Sequence, residues 1–413
     1  MNLLERLRLD YQTLTVWRGA MDAPVPAAFR RLLDPASPSR ADALACVSDV
    51  LCAAAAQGEA EAIARAVSQA VLYDDNPAVR MLAAGRELPA PLAAAARHDL
   101  AFFETLSRLQ ARDVLELAGA TLPGGAFLHE WSCGRPDAPL QPGWAGCLPA
   151  LADFYRTNGF GPFARYRAFR WENGVRPIAQ TDPITLADLK GYEAARAQVL
   201  DNTEAFVRGL PANNMLLYGD RGTGKSATVH AMLNEFYGRG LRMLELSKEQ
   251  TAAFAQISKT LSEIPLKFIV FIDDLSFSEH DDTFASLKAM LEGSLSPRPG
   301  NLLVYATSNR RHLVRERTSD REGDDVHRAD TIQELLALSD RFGITVTFLN
   351  PNRDEYLRIV AGMAADRGLD VDPETLAAAA ERFALSRAGR SPRTARQFID
   401  RAEARLRRGL PLS

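Results

Sequence analysis

The sequence predicts an α/β protein: a parallel sheet with helices on both faces, a mainly helical region before it and a small all-helical region after it. Three observations carry this. Short apolar runs at Met215–Tyr218, Met243–Leu246, Phe268–Ile272, Leu302–Ala306 and Ile344–Phe348 alternate with helical patterns, as βαβ units do. Composition shifts near residue 180: all four tryptophans (Trp17, Trp131, Trp144, Trp171) and all four cysteines (Cys46, Cys52, Cys133, Cys147) precede it. After Pro351 the pattern is helical to the end. The expected domains are therefore 1–180, 181–350 and 351–413.

Length and composition set the outer bounds. The chain of 413 residues is too long for a single core and suggests two or three domains. With 46% hydrophobic and 24% charged residues, wholesale disorder is excluded. The 49 Lys and Arg against 52 Asp and Glu leave a net charge of −3, so nucleic-acid or membrane binding would need a local patch. Four cysteines make no secreted disulfide framework and favour a reducing cytoplasm. The N-terminus lacks the apolar stretch of a signal peptide. The most apolar window, Val50 to Ala56, falls well short of the roughly 20 residues of a spanning helix.

In the first region, Ala41 to Ala56, Gly58 to Leu72 and Pro91 to Gln110 carry apolar residues at helical spacing, and Leu122 to Pro149 reads as loop. Asn158 to Trp171 interleaves aromatics with Arg165, Arg167 and Arg170. This suits a packed hinge better than a base-stacking platform. Cys46 and Cys52 read as core residues of a helix.

The strongest chemical signal is GDRGTGKS, comprising Gly219, Asp220, Arg221, Gly222, Thr223, Gly224, Lys225 and Ser226, with Ala227 following. It matches the phosphate-binding pattern G-x-x-x-x-G-K-[ST], the Walker A loop, with an apolar strand leading in and a helix leading out. Such glycines let backbone N–H groups close around phosphates at a helix N-terminus. Lys225 would reach the β- and γ-phosphates of ATP, and Ser226 would hold Mg²⁺. The plain alternative is a glycine-rich turn with a chance lysine. A downstream acidic strand end, FIVFIDD, argues against that, because it places Asp273 and Asp274 at the sheet edge where open α/β sheets bind ligands. Asp273 would complete the Mg²⁺ shell (Walker B), and Asp274 would polarise the attacking water.

From about residue 182 to 413 the chain resembles an AAA-type ATPase, through LADLKGYE, NNMLLYGDRGTGKS, KFIVFIDDLSF, LLVYATSNRRHLVRE, LSDRFG and GRSPRTARQF. More narrowly, it is similar to a bacterial family of such proteins known as a domain of unknown function. The resemblance implies a P-loop core with the additional-strand order and a helical C-terminal lid. It implies further that Asn309 orients the attacking water and that Arg341 is an arginine finger offered to a neighbouring subunit. Capping of a preceding helix Thr331–Leu338 is the other reading of Arg341. Arg393 matches the lid arginine that reaches the nucleotide, with Arg390 and Arg396 as rivals. Gly191 and Tyr192 match the segment that packs against adenine, although an ordinary helix N-terminus also accounts for them. Most hydrolysing members of the superfamily carry Glu where this chain has Asp274; the side chain is one methylene shorter, so hydrolysis is expected to be slow unless the geometry compensates.

Other clusters carry less. Glu279, His280, Asp281 and Asp282 read as the acidic first turn of a helix rather than a metal site. His129, Cys133 and Cys147 fall short of the four ligands of structural zinc. The stretch Arg310 to Asp330 reads as an exposed insertion, or a pore-side or partner-contacting loop. The arginine run from Arg382 to Arg408 is the best local candidate for DNA contact. The expected function is Mg²⁺-dependent ATP binding with ATPase activity. The protein would be cytoplasmic and free of membranes, and would assemble as a homo-oligomeric ring or filament. Two readings follow: a remodeller of a protein or nucleic-acid client, and a slow nucleotide-dependent switch or loader.

Overall fold

The sheet holds seven strands: β1 (Ala168–Trp171), β2 (Val175–Ile178), β3 (Met215–Gly219), β4 (Leu241–Glu245), β5 (Lys267–Ile272), β6 (Leu302–Asn309) and β7 (Ile344–Phe348). They lie in the order β2-β1-β4-β5-β6-β3-β7, parallel except for the β1–β2 hairpin. The computed structural model describes residues 3–33, 40–58, 63–117, 131, 133–275, 287, 290–291, 299–309, 341–387 and 389–412. The acidic turn expected at 279–282, the insertion at 310–330, the helix 331–338 and His129 lie outside them.

The five runs expected as strands are β3 to β7. The strands β3 to β6 bury both faces, as a parallel sheet between helices must, whereas β7 at the edge buries only Val346 and Phe348 and leaves Thr345 and Thr347 exposed. Alternate residues Met215 and Leu217, Ile269 and Phe271, and Val346 and Phe348 face one side. There they pack on Val199 and Phe206 of one helix and on Val229, Met232 and Phe236 of the next. Burying each such side chain contributes about 1.5–3 kcal/mol. The strands β1 and β2 form an edge hairpin that the sequence reading did not pick out. Its signal was present in Asn173–Gly174, a pair suited to positive φ, which the chain adopts there (53° and 153°). The aromatics of this segment do pack: Phe169 and Trp171 are buried, and Arg167 lies 4.7 Å over the Tyr237 ring.

The chain divides into two units, Met1–Tyr166 with Ile264–Leu266, and Arg167–Glu263 with Lys267–Ser413. The first is helical: α1 (Leu3–Gln12), α2 (Pro24–Ala28), α3 (Arg30–Leu33), α4 (Arg40–Ala56), α5 (Ile63–Leu72), α6 (Pro77–Ala83), α7 (Ala90–Arg108), α8 (Ala111–Leu117), α9 (Leu148–Asn158) and α10 (Pro162–Arg165). A buried carboxylate organises its centre. Asp99 of α7 accepts the backbone N–H groups of Thr15, Val16 and Trp17 at 3.0, 2.6 and 2.9 Å, so its charge is matched by three donors. Trp17 and Tyr155 both donate to the Val71 carbonyl at 3.1 Å. Cys46 is buried in α4, and burial pushes its thiol up to about 12. Cys52, expected in the core with it, is exposed: six residues on, it falls on the opposite side of the helix.

In the second unit α11 (Glu193–Val207), α12 (Lys225–Phe236) and α13 (Phe254–Ser262) accompany the sheet. After β7 come α14 (Arg353–Asp366), α15 (Pro373–Leu385) and α16 (Pro392–Leu406), which share a core of Tyr356, Ile359, Phe383, Phe398 and Ile399. Each starts on a side-chain cap: Asn352, Asp372 and Ser391 accept N–H bonds from Glu355, Thr375 and Thr394 at 2.9, 2.9 and 3.1 Å.

Candidate nucleotide site

The strand β3 ends on Gly219, and α12 begins at Lys225; the turn between them is shaped by glycine. Gly219 has φ of +145°, and a Cβ there would stand 1.9 Å from the Phe348 carbonyl oxygen, so only glycine lets β3 run this close to β7. The same carbonyl accepts from the Asp220 N–H at 2.9 Å, which turns the loop out of the sheet. Gly222, at φ +77°, lies under the start of α16; a Cβ would meet that of Arg393 at 3.1 Å. The Arg393 N–H donates to the Gly222 carbonyl at 3.1 Å, fastening the helical end of the chain to the loop.

Parallel pairing sets Gly219 level with Asn309 on β6, one strand over from Asp273 at the end of β5. Lys225 is 6% exposed, and its Nζ donates to the carbonyls of Gly219 (3.1 Å) and Asp220 (2.7 Å) and to Asn309 Oδ1 (3.1 Å). Asn309 in turn donates through Nδ2 to the Asp274 carboxylate. Ser226 Oγ donates to Asp273 Oδ1 at 2.7 Å. Burial pulls the Lys225 ammonium below the usual lysine range, while Asp220, Asp273 and Asp274 pull the other way and Arg393 adds to the fall.

The Asp273–Asp274 corner is held by a residue that sequence reasoning missed. Thr307 Oγ1 donates to Asp273 Oδ1 and accepts the Asp274 N–H at 2.9 Å; the Thr307 carbonyl accepts the Leu275 N–H at 2.7 Å. Asp274 sits at φ +52°, left-handed backbone that aspartate tolerates better than most residues. The signal lay in ATSN, two positions before Asn309.

These groups line a cavity of about 550 Å³ together with Ile184, Leu189, Met363 and Pro392, an apolar end, and with Arg196, Arg221, Arg393 and Arg396. The lining carries six cationic side chains (Lys190, Arg196, Arg221, Lys225, Arg393, Arg396) against three carboxylates (Asp188, Asp273, Asp274), a surplus of three positive charges. Of the three candidate lid arginines, Arg390 is engaged bidentately by Glu381 at 2.9 and 2.8 Å; Arg393 and Arg396 reach the cavity. Arg196 was also missed; burial lowers its basicity. Asp220 is turned from the cavity, its carboxylate accepting from the Asn350 N–H at 2.9 Å.

Two expected residues stand apart. Gly191 and Tyr192 line a neighbouring cavity of about 540 Å³ with Pro351, Glu355, Arg358 and Ile359; Lys190 is shared by both. There the Tyr192 ring lies 5.3 Å from that of Phe348, and its hydroxyl donates to the Leu349 carbonyl at 2.6 Å. Arg341 lies three residues before β7, at the end of the sheet opposite the phosphate loop, and does not line the cavity of its own chain.

Among the described residues no cluster of three or more His, Cys, Asp or Glu could hold a metal. Ser226 and Asp273 offer two hard oxygen donors side by side, which fits Mg²⁺, an ion that draws its remaining ligands from phosphates and water.

A phosphate loop on β3, an acidic pair on β5 and β6 inserted between them, with a helical lid over the loop, define a P-loop NTPase fold of the AAA type, which is a nucleotide-binding fold. Within that class the chain belongs to the family described as protein of unknown function (DUF815), which matches residues 164–406. Among solved structures it is similar to the RuvB Holliday junction branch migration motor of Thermotoga maritima, at 18% identity and a TM-score of 0.38 over 55% of this chain and 67% of that one. A second form of the same RuvB matches at 17% identity and a TM-score of 0.37 over the same shares. Likeness at that level says nothing of what this chain acts on.

Proposed function

We propose that the protein binds ATP with Mg²⁺ and hydrolyses it, coupling turnover to movement of α14–α16 against the sheet. The observation that supports this best is the convergence on one cation-rich cavity of the phosphate loop, the Asp273–Asp274 corner, Asn309 and the lid arginines. In this reading the backbone of Gly219–Ser226 and Lys225 hold the phosphates, Ala227 continues the helix start, and Ser226 and Asp273 hold Mg²⁺. Bound there, Mg²⁺ would neutralise charge on the phosphate oxygens. Asp274, steadied by Asn309, orients the attacking water, and Arg393, with Arg396 beside it, senses the nucleotide from the lid. Ile184, Leu189, Met363 and Pro392 offer the base an apolar slot, with Gly191 and Tyr192 behind it. The placement of Arg341 away from its own cavity supports a finger acting on a neighbour, hence a ring or filament working in the cytoplasm on a protein or nucleic-acid client.

A second reading, a slow nucleotide-dependent switch or loader, is favoured by one observation. The Asp274 carboxylate is both short and already engaged by Asn309. ATP binding and ATPase activity, each measured against protein concentration with and without Mg²⁺, test both readings. Binding is expected to vanish in K225A, and specific activity is expected to rise with concentration to a plateau. Binding without turnover at any concentration would leave the switch; no binding by the wild type would end both.

A further inference from the structure

One cation of the nucleotide cavity is matched neither by the loop, nor by the acidic corner, nor by the lid. Arg196 stands in the first turn of α11, and its side chain is only 12% exposed. Its guanidinium makes no hydrogen bond among the described residues. Its one ionic neighbour there is Glu193 at 3.5 Å, a carboxylate that is itself 80% exposed. Other cations of this unit are paired. Lys225, in the same cavity, has three acceptors, and Arg390 holds both oxygens of Glu381. The nearby carboxylate that lines the cavity, Asp188, is taken up by the N–H and hydroxyl of Thr185 at 2.7 and 2.6 Å. A guanidinium offers five N–H donors and no acceptor, and one drawn out of water without partners is costly to keep. Burial accordingly lowers the basicity of Arg196. The side chain nevertheless lines the cavity, where a ligand can reach it.

We infer that Arg196 binds the α-phosphate of the nucleotide. A base or a ribose would satisfy some of its donors but leave the charge unmatched. A phosphate does both, and its oxygens suit the planar fork of arginine. Position along the cavity selects which phosphate. Leu189, seven residues earlier in the chain, belongs to the apolar slot offered to the base. Ala227 and Thr228, which line the same cavity, follow Lys225 in the first turn of α12, the helix that α11 packs against. Between that slot and Lys225 lies the phosphate nearest the base. The β- and γ-phosphates are met by Lys225, by the loop and by Mg²⁺ on Ser226 and Asp273, whereas the α-phosphate has no cation of its own in that scheme. The inference rests on the nucleotide reading and extends it. ADP would be gripped by Arg196 as firmly as ATP, so this contact would outlast hydrolysis.

The test measures binding by the full chain of ATP, ADP and the two diastereomers of ATPαS, in which sulfur replaces one or the other free oxygen of the α-phosphate. EDTA is present, so that no metal chooses between the diastereomers. In Arg196→Met the affinities for ATP and ADP should fall by the same factor, at least about ten-fold, as loss of a charged hydrogen bond requires. The preference between diastereomers should shrink towards one. Arg196→Lys, a charge without the fork, should regain part of the affinity and none of the preference. Glu193→Gln, which removes the ion pair and leaves the guanidinium, should bind ATP as the wild type does. Without nucleotide, the unfolding midpoint of Arg196→Met should equal or exceed that of the wild type, because an unmatched buried charge has gone. A loss of affinity for ATP but not for ADP would overturn the inference. So would a diastereomer ratio that the Met variant leaves unchanged, or a lowered midpoint with a Glu193→Gln variant equally impaired, either of which marks a structural arginine. If the wild type binds no nucleotide, the nucleotide reading falls and this inference with it; if it binds and Arg196→Met binds equally well, this inference alone falls.

Discussion

Asp274 occupies left-handed backbone at φ +52°, and this conformation has an identifiable support. Its N–H is taken by the Thr307 hydroxyl and its carboxylate by Asn309, so the corner after β5 is clamped from β6. Removing the Thr307 hydroxyl leaves the Asp274 N–H with only its 3.1 Å bond to Asp273 Oδ1 and takes one of the donors from that oxygen, a loss of about 1.5–3 kcal/mol for a bond to a charged group. T307V is therefore expected to raise the Mg²⁺ concentration for half-maximal ATPase activity by roughly ten-fold or more, with little change in nucleotide affinity measured without metal; T307S should restore it. A Mg²⁺ titration equal to that of the wild type would mean that Thr307 only fills space. The engaged, shortened Asp274 invites a second substitution. In D274E a large gain in turnover would mark the native site as held slow, whereas a loss would show geometry already built around aspartate.

The junction of β3 with the phosphate loop depends on backbone passing close to backbone. A Cβ on Gly219 would collide with the Phe348 carbonyl, and neither partner is a flexible side chain that could swing aside. The G219A variant should force β3 and β7 apart. We expect it to lower stability by roughly 2–4 kcal/mol, read as a fall in the urea midpoint, and to weaken ATP binding because Asp220 loses its bond to Phe348. A midpoint within error of the wild type would show that the loop carries no such constraint. At this scale the sequence was legible wherever pattern and chemistry agreed: the five apolar runs became β3 to β7, and the strand–loop–helix around GDRGTGKS has the expected order. The β1–β2 hairpin escaped because its strands have only four residues each, with arginine among aromatics in β1 and arginine and proline in β2, masking the alternation that marks a strand.

Across the whole molecule, the question is whether one chain can complete its own site. Arg341 precedes β7 at the far end of the sheet from Lys225, so any action on a γ-phosphate requires a second copy. K225A keeps the arginine and loses the phosphate grip; R341A does the reverse. Each is expected to be inactive alone, and mixing them should restore a fraction of the wild-type ATPase activity. A mixture as inactive as its components would count against a shared site. The amino-acid sequence by itself determined the α/β class, the loop, the acidic strand end and the helical lid, because these rest on local periodicity and on residue types with few other uses. It favoured Arg393 through a resemblance but could not set aside its rival Arg390, nor expose Thr307 and Arg196, nor separate Gly191 and Tyr192 from the main cavity. Those depend on which side chains meet across strands and helices distant in the chain: Glu381 engaging Arg390, β6 pairing with β5, and α16 seated on Gly222. Only tertiary packing decides such meetings, since the free energy that selects them belongs to pairs and not to single positions.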